Sequence, residues 1–128
     1  MAMNNPYTQY RKNQVFSAPP ENLVLMLYDG LIRFAKQAII AIDEKRIEDA
    51  HKAITRCKLI ARELLLGLNR EIPVADSLAS LYNYMHERLV QANVKKDKAI
   101  LEEVIGMAAE LRETWNEAIL TARREAKK

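Results

Sequence analysis

Turn-forming and aromatic residues are what this chain has least of. Its 128 residues include three glycines, four prolines, five tyrosines, two phenylalanines and one tryptophan. That supply leaves little turn chemistry for a many-stranded sheet. Cysteine occurs once, at Cys57, which excludes an internal disulfide and fits a reducing compartment. Neither sign of charge dominates: 20 basic and 17 acidic side chains are interspersed, for a net charge of +3. No apolar run approaches the ~20 residues that a membrane span needs, and the polar start Met1-Ala2-Met3-Asn4-Asn5 has no apolar signal core. A cytoplasmic protein with no membrane insertion is expected. The one basic concentration is Arg123-Arg124-Glu125-Ala126-Lys127-Lys128. It reads as cations at a helix C-terminus, because nucleic-acid binding needs a contiguous phosphate-tracking surface; no nucleic-acid partner is expected.

Reactive groups are just as thin. His51 and His86 stand on different segments and form no His-x-x-x-His pair; Glu48 and His51 make one Glu-x-x-His spacing, whereas a dinuclear carboxylate site needs that motif on two helices and is not expected. Gly30, Gly67 and Gly106 are scattered and cannot form a phosphate-cradling loop. Cys57 falls among apolar residues, where a free cysteine behaves as a small hydrophobe. No enzyme activity, metal or cofactor is expected from this inventory.

What the chain does have is Leu, Ala, Ile, Glu and Lys at helical spacing. A chain of this length suits one domain that buries roughly two thirds of its unfolded surface. An N-terminal arm over residues 1–18 is followed by helical stretches over 19–128, with Pro19-Pro20 at the boundary. The first stretch runs from about Glu21 to Asp43. The second runs from about Arg46 to Leu68, with a seam through Ile47, Ala50, Ile54, Cys57, Ala61, Leu64 and Leu68. Asp76 is the expected N-cap of the third, whose stripe holds Leu78, Leu81, Tyr82, Met85, Leu89 and Ala92. Asp97 caps the fourth, which lines up Leu101, Val104, Ala108, Leu111, Trp115 and Ile119. Connections this short make successive helices antiparallel neighbours. The expected fold is all-α: an antiparallel up-down-up-down four-helix bundle with a short N-terminal arm. Only Asp43-Glu44-Lys45-Arg46, between the first two helices, lacks a Gly or Pro to mark the turn.

The first helix carries more apolar surface than one core can cover. At about 100° per residue, Leu23, Leu27, Leu31, Phe34 and Ala38 form one face, and Leu25, Tyr28, Ile32 and Ile39 an adjoining one. The apolar arc is on the order of 200°, against the roughly 100° stripe of an ordinary surface helix. Further apolar residues leave their seams: Leu59, Ile60 and Leu66 on the second helix, Tyr84 and Val90 on the third, and Ile100, Met107 and Leu120 on the fourth. Such a surplus marks an interaction surface, and two readings cover it. Either a partner segment docks in a helix-lined groove, or a homodimeric structural or adaptor bundle buries the excess against itself. Gly30 sits beside the inward face of the first helix. There it serves a close approach by another backbone or is a tolerated weakness costing roughly 1 kcal/mol.

Several stretches resemble one family. Asn4-Asn5-Pro6-Tyr7-Thr8-Gln9-Tyr10, Leu25-Met26-Leu27-Tyr28-Asp29-Gly30, Leu81-Tyr82-Asn83-Tyr84-Met85, Leu89-Val90-Gln91-Ala92-Asn93 and the run from Leu101 to Trp115 are similar to the flagellin export chaperones, the FliS family, in order and at matching spacing. The resemblance implies a cytoplasmic chaperone that binds the disordered C-terminal segment of flagellin, one-to-one. The chaperone would prevent premature polymerisation and deliver the segment to a component of the flagellar type III export gate. It implies no cofactor, and a free protein that is a monomer or weak dimer. It also implies an arm that lies over part of the apolar surface and gives way to the client. Tyr7 and Tyr10, three apart, would pack on the groove or merely anchor the terminus. The expected binding residues are Tyr7, Tyr10, Leu25, Tyr28, Ile32, Leu59, Leu66 and Tyr84, with Arg33, Lys36 and Arg62 helping to set orientation.

Overall fold

The computed structural model of the chain describes residues 20–127. It comprises α1 (Pro20–Asp43), α2 (Ile47–Leu66), α3 (Ala75–Lys95) and α4 (Lys98–Ala126), with no strand among the described residues. The arm over residues 1–18, with Tyr7 and Tyr10, lies outside the described residues. Each helix packs beside the next, and α4 returns against α1 to close the ring. Residue numbers run in opposite directions across that last contact: Lys98 meets Asp43 at 2.5 Å, and Arg112 pairs with Asp29. The expected antiparallel four-helix bundle is the observed one. None of its helices is long and apolar enough to cross a membrane.

The core is built from most of the predicted seam residues, but Ile47 of α2 and Leu81 of α3, also expected to face inward, are 50% and 38% exposed. Ile54 and Cys57 of α2, Met85 and Leu89 of α3, and Leu101 and Val104 of α4 are fully buried, together with Leu31 and Tyr28 of α1. Alanine supplies much of the rest. Ala35, Ala38 and Ala41 of α1 and Ala50, Ala53 and Ala61 of α2 are all buried. Small side chains at a helix contact permit close approach of the axes.

The unmarked turn between α1 and α2 has a specific geometry. Lys45 adopts the left-handed conformation (φ 61°). The Arg46 N–H bonds to the Ala41 carbonyl at 2.8 Å and the Lys45 N–H to Ile42 at 3.0 Å. This is a helix-ending motif in which glycine is the usual residue. Lys96 repeats the choice after α3 with φ 50°. A left-handed lysine costs about 1–2 kcal/mol relative to a right-handed one, so neither stop is written as the customary glycine. Asp97 then caps α4 as expected, its Oδ1 accepting the Ala99 N–H at 2.9 Å.

Two local expectations need correction. Asp76 is not the N-cap of α3: the helix already begins at Ala75, with Val74 in the cap position and no side-chain cap bond. Asp76 instead occupies the first turn, where the helix dipole favours an acid. Ile60 and Ile100, read as off-seam, are buried members of the core. Ile60 turns inward because Gly30 opposite it has no side chain: a Cβ built there would lie 3.3 Å from the Ile60 Cδ1. The neighbour that explains Gly30 is thus a side chain, not a backbone.

Candidate protein-binding groove

At the end of the bundle where α1 begins, the helices enclose a groove of about 860 Å³. Leu23, Val24, Met26, Leu27, Gly30 and Phe34 form its α1 wall, and Ile60, Leu64 and Gly67 its α2 wall. Leu68, Asn69 and Ile72 of the α2–α3 connection close one end, while Leu78 and Tyr82 of α3 and Trp115 of α4 complete the lining. The connection is held by an Asx turn, in which the Asn69 Oδ1 accepts the Glu71 N–H at 2.9 Å. Gly30 and Gly67 are both among the lining residues.

Phe34 is shared with a second, shallower hollow of about 510 Å³ that continues between α1 and α2. That hollow mixes Phe34, Ile40, Ala41 and Ala53 with the cations Arg46, Lys52 and Arg56, of which Arg46 is paired with Asp49 in the same lining. At the junction the Arg33 and Arg56 guanidinium groups lie 5.1 Å and 5.3 Å from the Phe34 ring centre. Each contact of this kind contributes about 0.5–1 kcal/mol at an exposed site. The whole furrow therefore grades from apolar at the α1 N-terminus to mixed apolar and charged beyond Phe34.

The structure distributes the expected binding residues among different surroundings. Tyr28 is 1% exposed and belongs to the core. Leu25 and Ile32 are half-buried. Neither lines the groove, and Ile32 packs against the core cluster. Leu59 and Leu66 are 58% and 74% exposed on the outer side of α2. Tyr84 is exposed, and its hydroxyl donates to the Glu103 Oε2 at 2.6 Å while the Arg88 Nε holds Oε1 at 2.7 Å. Those two bonds, the tyrosine's first, hold the Glu103 carboxyl below the ordinary carboxylate range. On α1 it is the face first read as core (Leu23, Leu27, Phe34) that lines the groove. The signal for it was present as Gly30 and Gly67, but helical periodicity alone does not say which flank a neighbour leaves open.

Beneath the groove lies a polar pair. The Tyr28 and Tyr82 hydroxyls are 2.6 Å apart and buried, with ring centres 6.4 Å apart. Burial is the first cause that raises both phenols above their ordinary range, and it pushes the Cys57 thiol up to about 12. All three groups are favoured neutral in the fold. Their contribution is complete below the unfolded-state values of about 8.5–10 and is lost as pH rises through the folded values. Urea midpoints should therefore hold steady from pH 7 to about 8.5 and fall between about pH 9 and 12. Cys57→Ala should show the shallower fall; an identical profile would mean that the thiol does not contribute.

Among the described residues no group of three His, Cys, Asp or Glu side chains is placed to hold a metal ion. A helical bundle with an apolar furrow has the geometry that helix-in-groove recognition uses. Comparison with known proteins narrows that further. Residues 3–122 match the family described as "Flagellar protein FliS", and the chain belongs to that family. The flagellar secretion chaperone FliS of Bacillus subtilis (strain 168) is 40% identical over 125 residues, covering 98% of this chain and 94% of its own. The flagellar secretion chaperone FliS of Campylobacter jejuni is 34% identical over 119 residues, covering 91% and 93% respectively. A crystal structure of a flagellar chaperone from bacteria superposes with a TM-score of 0.77 at 18% identity, over 91% of this chain and 96% of that one, and shares the fold. The family is one of flagellar export chaperones.

Proposed function

We propose that this chain is a cytoplasmic chaperone for flagellin. It holds the disordered C-terminal segment of flagellin one-to-one, prevents premature polymerisation and hands the segment to the flagellar type III export apparatus. The observation that carries this reading is the 860 Å³ apolar groove between α1, α2 and α3 in a chain of the FliS family. An amphipathic stretch of the client seats its apolar face there, ordering as it binds and using part of the interaction energy for that ordering. The segment then continues along the outer side of α2, where Leu59 and Leu66 offer exposed apolar contacts. Arg33 and Arg56, astride Phe34, bias the direction in which it lies.

Calorimetric titration with a flagellin C-terminal segment of about forty residues, long enough to run the length of a bundle at ~1.5 Å per helical residue, tests the proposal. Saturable one-to-one binding with a large negative heat-capacity change is expected. The chain's single tryptophan lines the groove, so Trp115 fluorescence should shift in step with the heat. No binding, with a tight homodimer in the same sample, would overturn the proposal in favour of a self-buried apolar face.

A further inference from the structure

Two hydroxyls carry two hydrogens, and the Tyr28–Tyr82 bond uses one of them. Neither hydroxyl makes a second hydrogen bond with any described residue. The spare hydrogen therefore belongs to whichever tyrosine accepts. If Tyr82 donates, the spare hydrogen stays on Tyr28, which is fully buried and absent from the groove lining, and suffers the full desolvation penalty of an unmade bond. If Tyr28 donates, the spare hydrogen is on Tyr82, and Tyr82 lines the groove. The second arrangement is favoured, because water or a ligand can satisfy the hydrogen there.

On the reading that the groove holds a flagellin segment, we propose that Tyr82 is its specificity-determining residue. Its hydroxyl donates to a neutral acceptor, an Asn or Gln carboxamide or a Ser or Thr hydroxyl, on the otherwise apolar face of the bound segment. Asp29, Arg33, Glu63 and Asn69 also line the groove, but all four are exposed and keep their water. Tyr82 is only 4% exposed, among Leu64, Leu78 and Ile60. A client that seats an aliphatic side chain over that hydroxyl strands a buried donor. One that seats a carboxylate there must desolvate a charge against the apolar side chains around Tyr82. A neutral acceptor avoids both losses and sets the register of the segment.

The test compares wild type, Tyr82→Phe, Tyr28→Phe and the double variant in the flagellin-segment titration, with urea unfolding in parallel. Tyr82→Phe orphans the buried Tyr28 hydroxyl and Tyr28→Phe removes the buried donor to Tyr82, so each lowers stability, and the double variant, with both hydroxyls removed, recovers part of that loss. Affinity should separate differently. Tyr82→Phe and the double variant each bind about tenfold more weakly, whereas Tyr28→Phe, which keeps the Tyr82 hydrogen, binds within about twofold of wild type. In an alanine scan of the segment, one Asn, Gln, Ser or Thr position that matters to wild type should cease to matter to Tyr82→Phe. Equal weakening by the two single variants, or a scan without that coupling, overturns the proposal and leaves the flagellin reading intact. Should Tyr82→Phe fail to fold, the double variant decides. Absence of wild-type binding removes the flagellin reading and, with it, this contact.

Discussion

Leu23→Asp is expected to weaken binding of the flagellin C-terminal segment by about a hundredfold or more, with little change in the stability of the free bundle. Leu23 lines the groove, is half-buried in the free protein and is not part of the packed core. Replacing it forfeits the burial of a leucine side chain on binding, about 1.5–3 kcal/mol. It also presents a carboxylate that must lose water against an apolar partner, a penalty of several kcal/mol where desolvation is complete. Together these exceed the roughly 2.7 kcal/mol that corresponds to a hundredfold. The fold should tolerate the change because position 23 lies in the first turn of α1, which begins at Pro20. An acid there gains about 0.3–1 kcal/mol from the helix dipole. Leu59→Asp, outside the groove on the exposed side of α2, should cost at most about tenfold. Titration of both variants by calorimetry and Trp115 fluorescence places the seat. A larger loss in Leu59→Asp than in Leu23→Asp would move it to the outer face of α2.

Leu101→Ala is expected to do the opposite. Leu101 is fully buried in the first turns of α4, packed in the same cluster as Ile54, Met85 and Leu89, and takes no part in the groove lining. Deleting its buried methyl groups removes transfer free energy and leaves a cavity that the neighbouring helices only partly close. The cost is about 2–5 kcal/mol, a large share of the roughly 5–15 kcal/mol that holds a domain folded. Urea unfolding should show a lower midpoint at unchanged slope. Below its unfolding transition the variant should still bind the flagellin segment with near wild-type affinity. A stability loss under about 1 kcal/mol would mean that the four helices rearrange to fill the space. A large loss of affinity in the folded variant would mean that core and groove are not separable.

The two variants divide the molecule along the line that periodicity could only partly draw. Spacing placed Ile54 and Cys57, Met85 and Leu89, and Leu101 and Val104 on inward stripes, and all of them are buried. A stripe facing three neighbours has one orientation that hides it. On α1 the arc was too wide for that logic. Both of its apolar flanks satisfy the same period, and only the positions of α2 and α4 determine which flank is packed and which is left open. Tyr28, read as part of a binding face, is core because its hydroxyl finds Tyr82 across the bundle, a partner 54 residues away in the chain. The stop after α1 was unmarked for a different reason: Lys45 takes the left-handed turn that a glycine would have announced. The helix-three boundary was misplaced by two residues, with Val74 and not Asp76 in the cap position, because Asp76 satisfies the dipole from the first turn as well as from the cap.

The sequence by itself determined the all-α class, the number and order of the helices and their antiparallel course, because a 3.6-residue period and short connections leave no other economical packing. The matched stretches from Asn4 to Trp115 also carried the family. The tertiary structure alone decided where the apolar surplus becomes a groove. Gly30 lets Ile60 inward, and Leu68, Asn69 and Ile72 of the connection between α2 and α3 close one end of the furrow. Trp115 of α4 and Tyr82 of α3 come to line one space with Leu23 of α1. A groove is a property of what neighbouring helices fail to fill, and that depends on their rotation and separation, which no single helix encodes.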